Sequence, residues 1–223
     1  MNTLSRNLSP ATFCGLLISL LSGPAFVAAY RGITGENHSN LQLVGREAGI
    51  FLLVGLLLWI VKRGEELPLA SIGLHADRLG RSIIRGLVLT AISLAATVGL
   101  YLLLQQFGIH LGGRGADPFR PSLWVVALIM LRAGIAEEIF YRGYAIERLQ
   151  SQTGRKWLAR LLPLVLFAAA HYRQGLGGMF AVFILGGIFT MFYVKFRDLI
   201  ANMTGHFLGD FVLNVGLPLL GAG

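Results

Sequence analysis

The 223 residues are 55% hydrophobic and 13% charged with a mean hydropathy of +0.67, a balance that excludes a water-solvated globular surface and predicts an integral membrane protein. The net charge of +8 does not indicate nucleic acid as a partner, because the basic residues stand singly or in pairs between apolar runs, as in loops facing anionic membrane lipid. The single cysteine, Cys14, lies in an apolar run, so the expectation is a buried, inert thiol.

Apolar stretches approaching the ~20 residues that cross ~30 Å of hydrocarbon recur along the chain, which predicts an all-α membrane protein, a polytopic bundle of about seven (six to eight) transmembrane helices. The first stretch covers 11–30 around Gly23-Pro24. Arg6 in front of it and Ala28-Ala29 behind it also fit a signal peptide, and a retained helix is the favoured reading. The second covers 49–61 with a few flanking residues and ends at Lys62-Arg63. Residues 64–82 are mixed and charged, with Pro68, Gly73 and Gly80, and read as a cytoplasmic loop holding a short interfacial helix. The third stretch is 83–104, followed by a loop over 108–121 rich in glycine and proline.

The fourth helix starts near Ser122, carries Glu137-Glu138, and continues amphipathically to Gln150. The fifth is 156–171, the sixth 179–194 and the seventh 199–213. The chain thus divides into N-terminal helices with a cytoplasmic loop (1–121), a C-terminal set of helices of the same membrane domain (122–213), and a short tail (214–223). With the N-terminus in the cytoplasm, Lys and Arg number twelve on that side (Arg6, Lys62, Arg63, Arg78, Arg81, Arg85, Arg148, Arg155, Lys156, Arg160, Lys195, Arg197) against five on the other (Arg31, Arg46, Arg114, Arg120, Arg173). That asymmetry predicts a cytoplasmic N-terminus and an odd number of spans.

Ionisable residues inside apolar runs are expensive and therefore mark function. On a helix, Glu138 and Arg142 share a face and can pair, while Glu137 points about 100° away and is left for chemistry. His171 ends the fifth stretch, and His206 and Asp210 share a face of the seventh. Counted from the cytoplasmic helix ends at 1.5 Å per residue, Glu138 lies about 18 Å deep, His171 about 22 Å, and His206 and Asp210 about 12 and 18 Å. Antiparallel packing would bring them into one layer. Gly205-x-x-x-Gly209 suits close helix approach there, and Gly186-Gly187 in the sixth stretch suits the same packing.

The ordered motifs Glu137-Glu138-x-x-x-Arg142, Phe167-x-x-x-His171 and His206-x-x-x-Asp210 resemble those of the CPBP family, the intramembrane proteases that include CaaX prenyl endopeptidases and bacterial immunity (Abi-type) proteins. The resemblance covers about 122–213. It implies a catalytic set of Glu137, Glu138, His171, His206 and Asp210 with Arg142 as supporting cation, and a membrane-associated or lipidated peptide as substrate. The family usually carries asparagine where this chain has Asp210. Asparagine can donate a hydrogen bond to an oxyanion, whereas an ionised aspartate repels it. Asp210 is then protonated, orients His206, or joins Glu137, His171 and His206 around a divalent metal, a donor set that zinc accepts. The family is often described as metalloproteases, but no H-E-x-x-H helix is present and zinc is left open.

In the favoured division of labour, Glu137 activates a water with help from His171 while Glu138 and Arg142 fix the helix; the opposite division of the glutamates is also open. The plain structural alternative has both glutamates satisfying arginines, Arg132 among them. Phe140, Tyr141, Phe167, Phe189 and Phe192 read as core or lipid-facing. The competing functions are a non-catalytic immunity or partner protein on the same fold and a proton-coupled transporter, the latter disfavoured because the chain shows no repeated halves. A bacterial inner membrane is the expected location.

Overall fold

The computed structural model describes residues 8–35, 39–108 and 121–220, and among them it contains helices and turns but no strand. The loop expected over 108–121 lies largely outside the described residues, as do Arg6, Arg114 and Arg120 of the charge count.

Helix α1 (Pro10–Thr34) begins where Ser9 Oγ accepts the backbone N–H of Thr12 at 3.0 Å, satisfying a donor that has no partner within the first turn. It widens into a π turn at Ile18–Ser22 just before Gly23-Pro24 and continues as helix to Thr34. Helix α2 (Asn40–Gly64) opens with a reciprocal capping box between Ser39 and Gln42. Helix α3 is Ala76–Gln106 and α4 covers 123–153 without a break, widening at Glu138–Tyr144 and stopping at Gly154, whose φ of 66° takes the left-handed conformation open to glycine. Helix α5 is Lys156–Ala170 and α6 is Tyr172–Phe196. Helix α7 covers 199–219, capped by Asp198, which accepts from the N–H of Ala201 at 3.2 Å.

Four of these helices, α1, α2, α3 and α6, are long and apolar enough to cross a membrane. Their outward faces carry exposed Leu52, Trp59, Ile84, Leu102, Phe180 and Met191, a surface that water would not solvate and lipid would. This is a membrane protein. The helices that carry the candidate site fall outside that group for a physical reason. Helix α4 holds Arg132, Glu137, Glu138 and Arg142, and α5 is 15 residues long, about 22 Å, short of the ~30 Å hydrocarbon layer.

Four expectations are corrected. Cys14 is exposed on the outer face of α1 rather than buried, because that helix turns Thr12, Gly15 and Ser19 toward the bundle. The segment expected as a loop with an interfacial helix packs into the protein instead: a 3₁₀ turn, Leu69–Ile72, follows α2 and inserts Ile72 fully into the core, and a second, Ala76–Arg78, opens α3. The last stretch does not end in a tail at Leu213, since a π turn at Val212–Gly216 carries α7 on to Leu219. Arg46 and Arg148, counted as loop charges, are both buried in ion pairs.

The core reaches from Ile50, Phe140 and Phe167 to the end of the bundle that holds Ser9, where Val54, Leu57, Val61, Ile72, Tyr144 and Leu199 pack together. There Glu65 accepts from Tyr144 Oη at 2.8 Å, Thr12 Oγ1 at 2.9 Å and Arg148 Nε at 2.8 Å, while Arg148 Nη2 donates to Ser71 Oγ at 2.9 Å. Helix α7 packs against α3, where a Cβ on Gly205 would come within 2.8 Å of the Leu89 side chain. Only glycine lets the two backbones approach this closely.

Candidate active site

Glu138 is fully buried and its carboxylate is saturated. Arg142 Nη1 donates to it at 2.9 Å, Asn202 Nδ2 at 3.0 Å, and His206 Nδ1 lies 2.8 Å from it. Arg142 is held in turn by the carbonyl of Gly186 at 3.3 Å and by the ring of Phe167, whose centroid lies 4.3 Å from the guanidinium carbon. A Cβ at residue 186 would come within 3.1 Å of Arg142 Nη2, so this glycine makes room for the buried cation. The wide turn at 138–144 disturbs the ordinary carbonyl ladder, and Ser19 Oγ of α1 donates to the Phe140 carbonyl at 2.8 Å.

Glu137, the neighbouring carboxylate, is 19% exposed and faces space. Arg132 Nη1 holds one of its oxygens at 3.0 Å, and the other lies 3.9 Å from His206 Nε2. Arg132 also bonds Glu47 of α2, a fully buried glutamate that Arg46 contacts at 2.6 Å. Two cavities meet at Glu137. One, about 620 Å³, lies between α1, α2, α4 and the start of α6; the other, about 420 Å³, lies between α3, α4, α6 and α7. Glu137, His171, Arg132 and Phe167 belong to the walls of both.

His171 Nδ1 lies 2.8 Å from the Phe167 carbonyl, which can only accept, so Nδ1 carries the hydrogen and Nε2 is the nitrogen left for chemistry. The same four-residue step that made Phe167-x-x-x-His171 visible in sequence therefore fixes the ring. His206 Nε2 lies 3.5 Å from Asp210 Oδ2, and both residues line the smaller cavity with Glu137 and His171.

The expected residues thus occupy one layer. Glu137, His171, His206 and Asp210 border a common space, and Glu138 and Arg142 stand behind them as an internal support. The sequence reading passed over Asn202 and Glu47. Asn202 continues the four-residue step of His206 and Asp210 backward by one turn, a signal present in the sequence, whereas Glu47 lies in a separate helix and had no local signal.

Among the described residues no three His, Cys, Asp or Glu side chains come together at ligand spacing.

Residues 119–212 match the family model described as type II CAAX prenyl endopeptidase Rce1-like. Neither a curated protein nor a solved structure matches the chain. The matched segment begins just before α4 and ends within α7, so it spans the residues described above except Ser19, Arg46 and Glu47. Segment 119–212, with its glutamate pair and two histidines, belongs to the CPBP/CAAX protease family.

Proposed function

We propose that the protein is an intramembrane endopeptidase that hydrolyses a peptide bond in a membrane-associated or lipidated substrate with a water activated by Glu137. The observation that carries this reading is the contrast between adjacent carboxylates, Glu138 saturated by three partners and Glu137 facing both cavities. A general base needs an accessible lone pair, and of the two adjacent carboxylates only Glu137 offers one.

As the water oxygen attacks the carbonyl carbon, its proton passes to Glu137. The oxyanion develops beside His206, whose ring is oriented by Glu138 on Nδ1 and by Asp210 near Nε2, so a proton on Nε2 would be aimed into the cavity. The tetrahedral carbon then expels the amine as the carbon–nitrogen bond breaks, and the proton held by Glu137 reaches the amide nitrogen with His171 Nε2 as relay. The products are a new carboxyl terminus and a free amine. Arg132 fixes the carboxylate of Glu137 and stays bound throughout.

In this reading all seven helices lie in the bilayer, with the Ser9 end in the cytoplasm of a bacterial inner membrane. The short α5 supports it, since starting Lys156 at one surface leaves His171 about 22 Å inside. The test is cleavage of prenylated and unprenylated peptides by the purified protein in liposomes, with Glu137→Gln and His171→Ala as controls. Cleavage by the wild type that both variants lose is the expected result; a wild type as inert as the variants across the panel would overturn the assignment.

A further inference from the structure

The reaction layer is closed on one side and open on the other. Helices α1, α3, α5 and α7 start at the Ser9 end of the bundle and α2, α4 and α6 finish there, as the contacts of Thr12 and Arg148 with Glu65, of Leu199 with Gly73 and of Arg197 with Glu147 show. Helix by helix, the described walls of both cavities stop at one level. In the larger cavity no lining residue precedes Gly23 in α1, follows Ile50 in α2 or Tyr141 in α4, or precedes Phe167 in α5. In the smaller one none precedes Ser93 in α3, follows Arg142 in α4 or Phe189 in α6, or precedes His206 in α7. On the Ser9 side of that level Leu57, Val61, Ile72, Tyr144 and Leu199 are fully buried and form a plug. On the other side the larger cavity runs along α1 to exposed Gly32 and takes in the exposed turn Tyr172–Gln174, which follows His171 directly. The chamber has its mouth at the end away from Ser9.

The two ends also differ in charge. The plugged end carries exposed Lys62, Arg63, Arg81, Arg155, Lys156 and Lys195, whereas at the open end Arg31, Arg46 and Arg173 belong to the cavity wall. Basic residues in short loops collect on the cytoplasmic side of a membrane, which makes the plugged end the cytoplasmic one. We infer that the chamber is entered from the extracytoplasmic face, and that its substrate is an extended stretch of another membrane-anchored chain close to that face. The larger cavity extends along α1 from Gly23 to Gly32, a rise of about 14 Å, which about four residues of extended chain would span. A stretch that short reaches Glu137 from just above the bilayer, and a folded domain does not fit. The inference rests on the hydrolytic reading and its cytoplasmic Ser9 end, and the experiment separates the two.

Single cysteines are introduced into the Cys14→Ser protein: Thr153→Cys at the plugged end, Gly32→Cys at the open end, where a side chain meets no atom within 4 Å, and Ala170→Cys in the cavity wall beside His171, with Val27→Cys repeating that measurement from α1. A membrane-impermeant maleimide is applied to right-side-out and to inside-out vesicles, and an impermeant peptide panel is offered to both, with Glu137→Gln vesicles as the blank. The expected result is labelling of Gly32→Cys, Ala170→Cys and Val27→Cys in right-side-out vesicles and its loss in inside-out ones, the reverse for Thr153→Cys, and peptide cleavage by right-side-out vesicles alone. That labelling pattern without cleavage from either side would leave the entry route standing and remove the hydrolytic reading. Labelling of the two cavity positions from the side that labels Thr153→Cys, their protection from both sides while Gly32→Cys reacts, a fully reversed pattern, or cleavage by inside-out vesicles overturns the inference.

Discussion

The two ends of this bundle use the same residue types to opposite effect. At the Ser9 end, Glu65 meets Tyr144, Thr12 and Arg148 inside a packed core, and every one of those contacts is a hydrogen bond of 2.8 to 2.9 Å. Two turns of helix or so away, Glu137 keeps one arginine on one oxygen and turns the other toward open space. Burial makes a charge tolerable only when its partners are complete, so an incomplete partnership has to be retained for something other than stability. Glu138 belongs with Glu65 in this respect, although it stands next to Glu137 in sequence.

The comparison is broken most sharply at Glu137. Glu137→Gln should lower the cleavage rate by about 10²- to 10⁴-fold, the usual worth of a general base, while the thermal unfolding midpoint in detergent stays close to that of the wild type. Glu138→Ala should do both kinds of damage. It strands Arg142, which is 2% exposed, and a loss of about 3 to 5 kcal/mol is expected for an uncompensated buried charge, with activity falling as His206 loses its anchor. A stability assay on Glu138→Ala that matched Glu137→Gln would erase the distinction drawn here.

Glu65→Ala is the converse probe. Arg148 loses its buried partner, so unfolding should occur with up to about 3 kcal/mol less free energy, yet each folded molecule should cleave at the wild-type rate. Smaller effects are expected around Asp210, which is 37% exposed and 3.5 Å from His206. Asp210→Asn keeps the shape and the contact, and activity within about tenfold of wild type is expected, since a single neutral hydrogen bond is worth about 1 kcal/mol. Loss of all activity in that variant, together with lost bound metal by elemental analysis, would instead identify Asp210 as a ligand. The smallest effect is the one expected from 1,10-phenanthroline, which should leave cleavage unchanged because no described set of side chains stands at metal-ligand spacing.

Sequence reading found the polar layer because each of its motifs repeats a step of about one helical turn: Glu138 to Arg142, Phe167 to His171, His206 to Asp210. Such pairs are local, and local geometry is set by the helix itself. Asn202 obeys the same rule and went unnoticed only because a lone asparagine carries little weight in an apolar run. Cys14 and Ile72 were misplaced for the opposite reason, since which face of a helix or turn meets the bundle depends on neighbours far along the chain.

Composition and apolar runs by themselves determined a helical membrane chain, the approximate extent of its helices, and which of the two glutamates would pair with Arg142. The tertiary structure alone decided that Glu47 holds Arg132 against Glu137, that arginines from α1, α2, α4 and the start of α6 line one cavity, and that two cavities meet at a single carboxylate. The reason is one of range. A helical turn relates residues four apart whatever surrounds it, whereas residue 47 and residue 132 become neighbours only when α2 and α4 pack side by side.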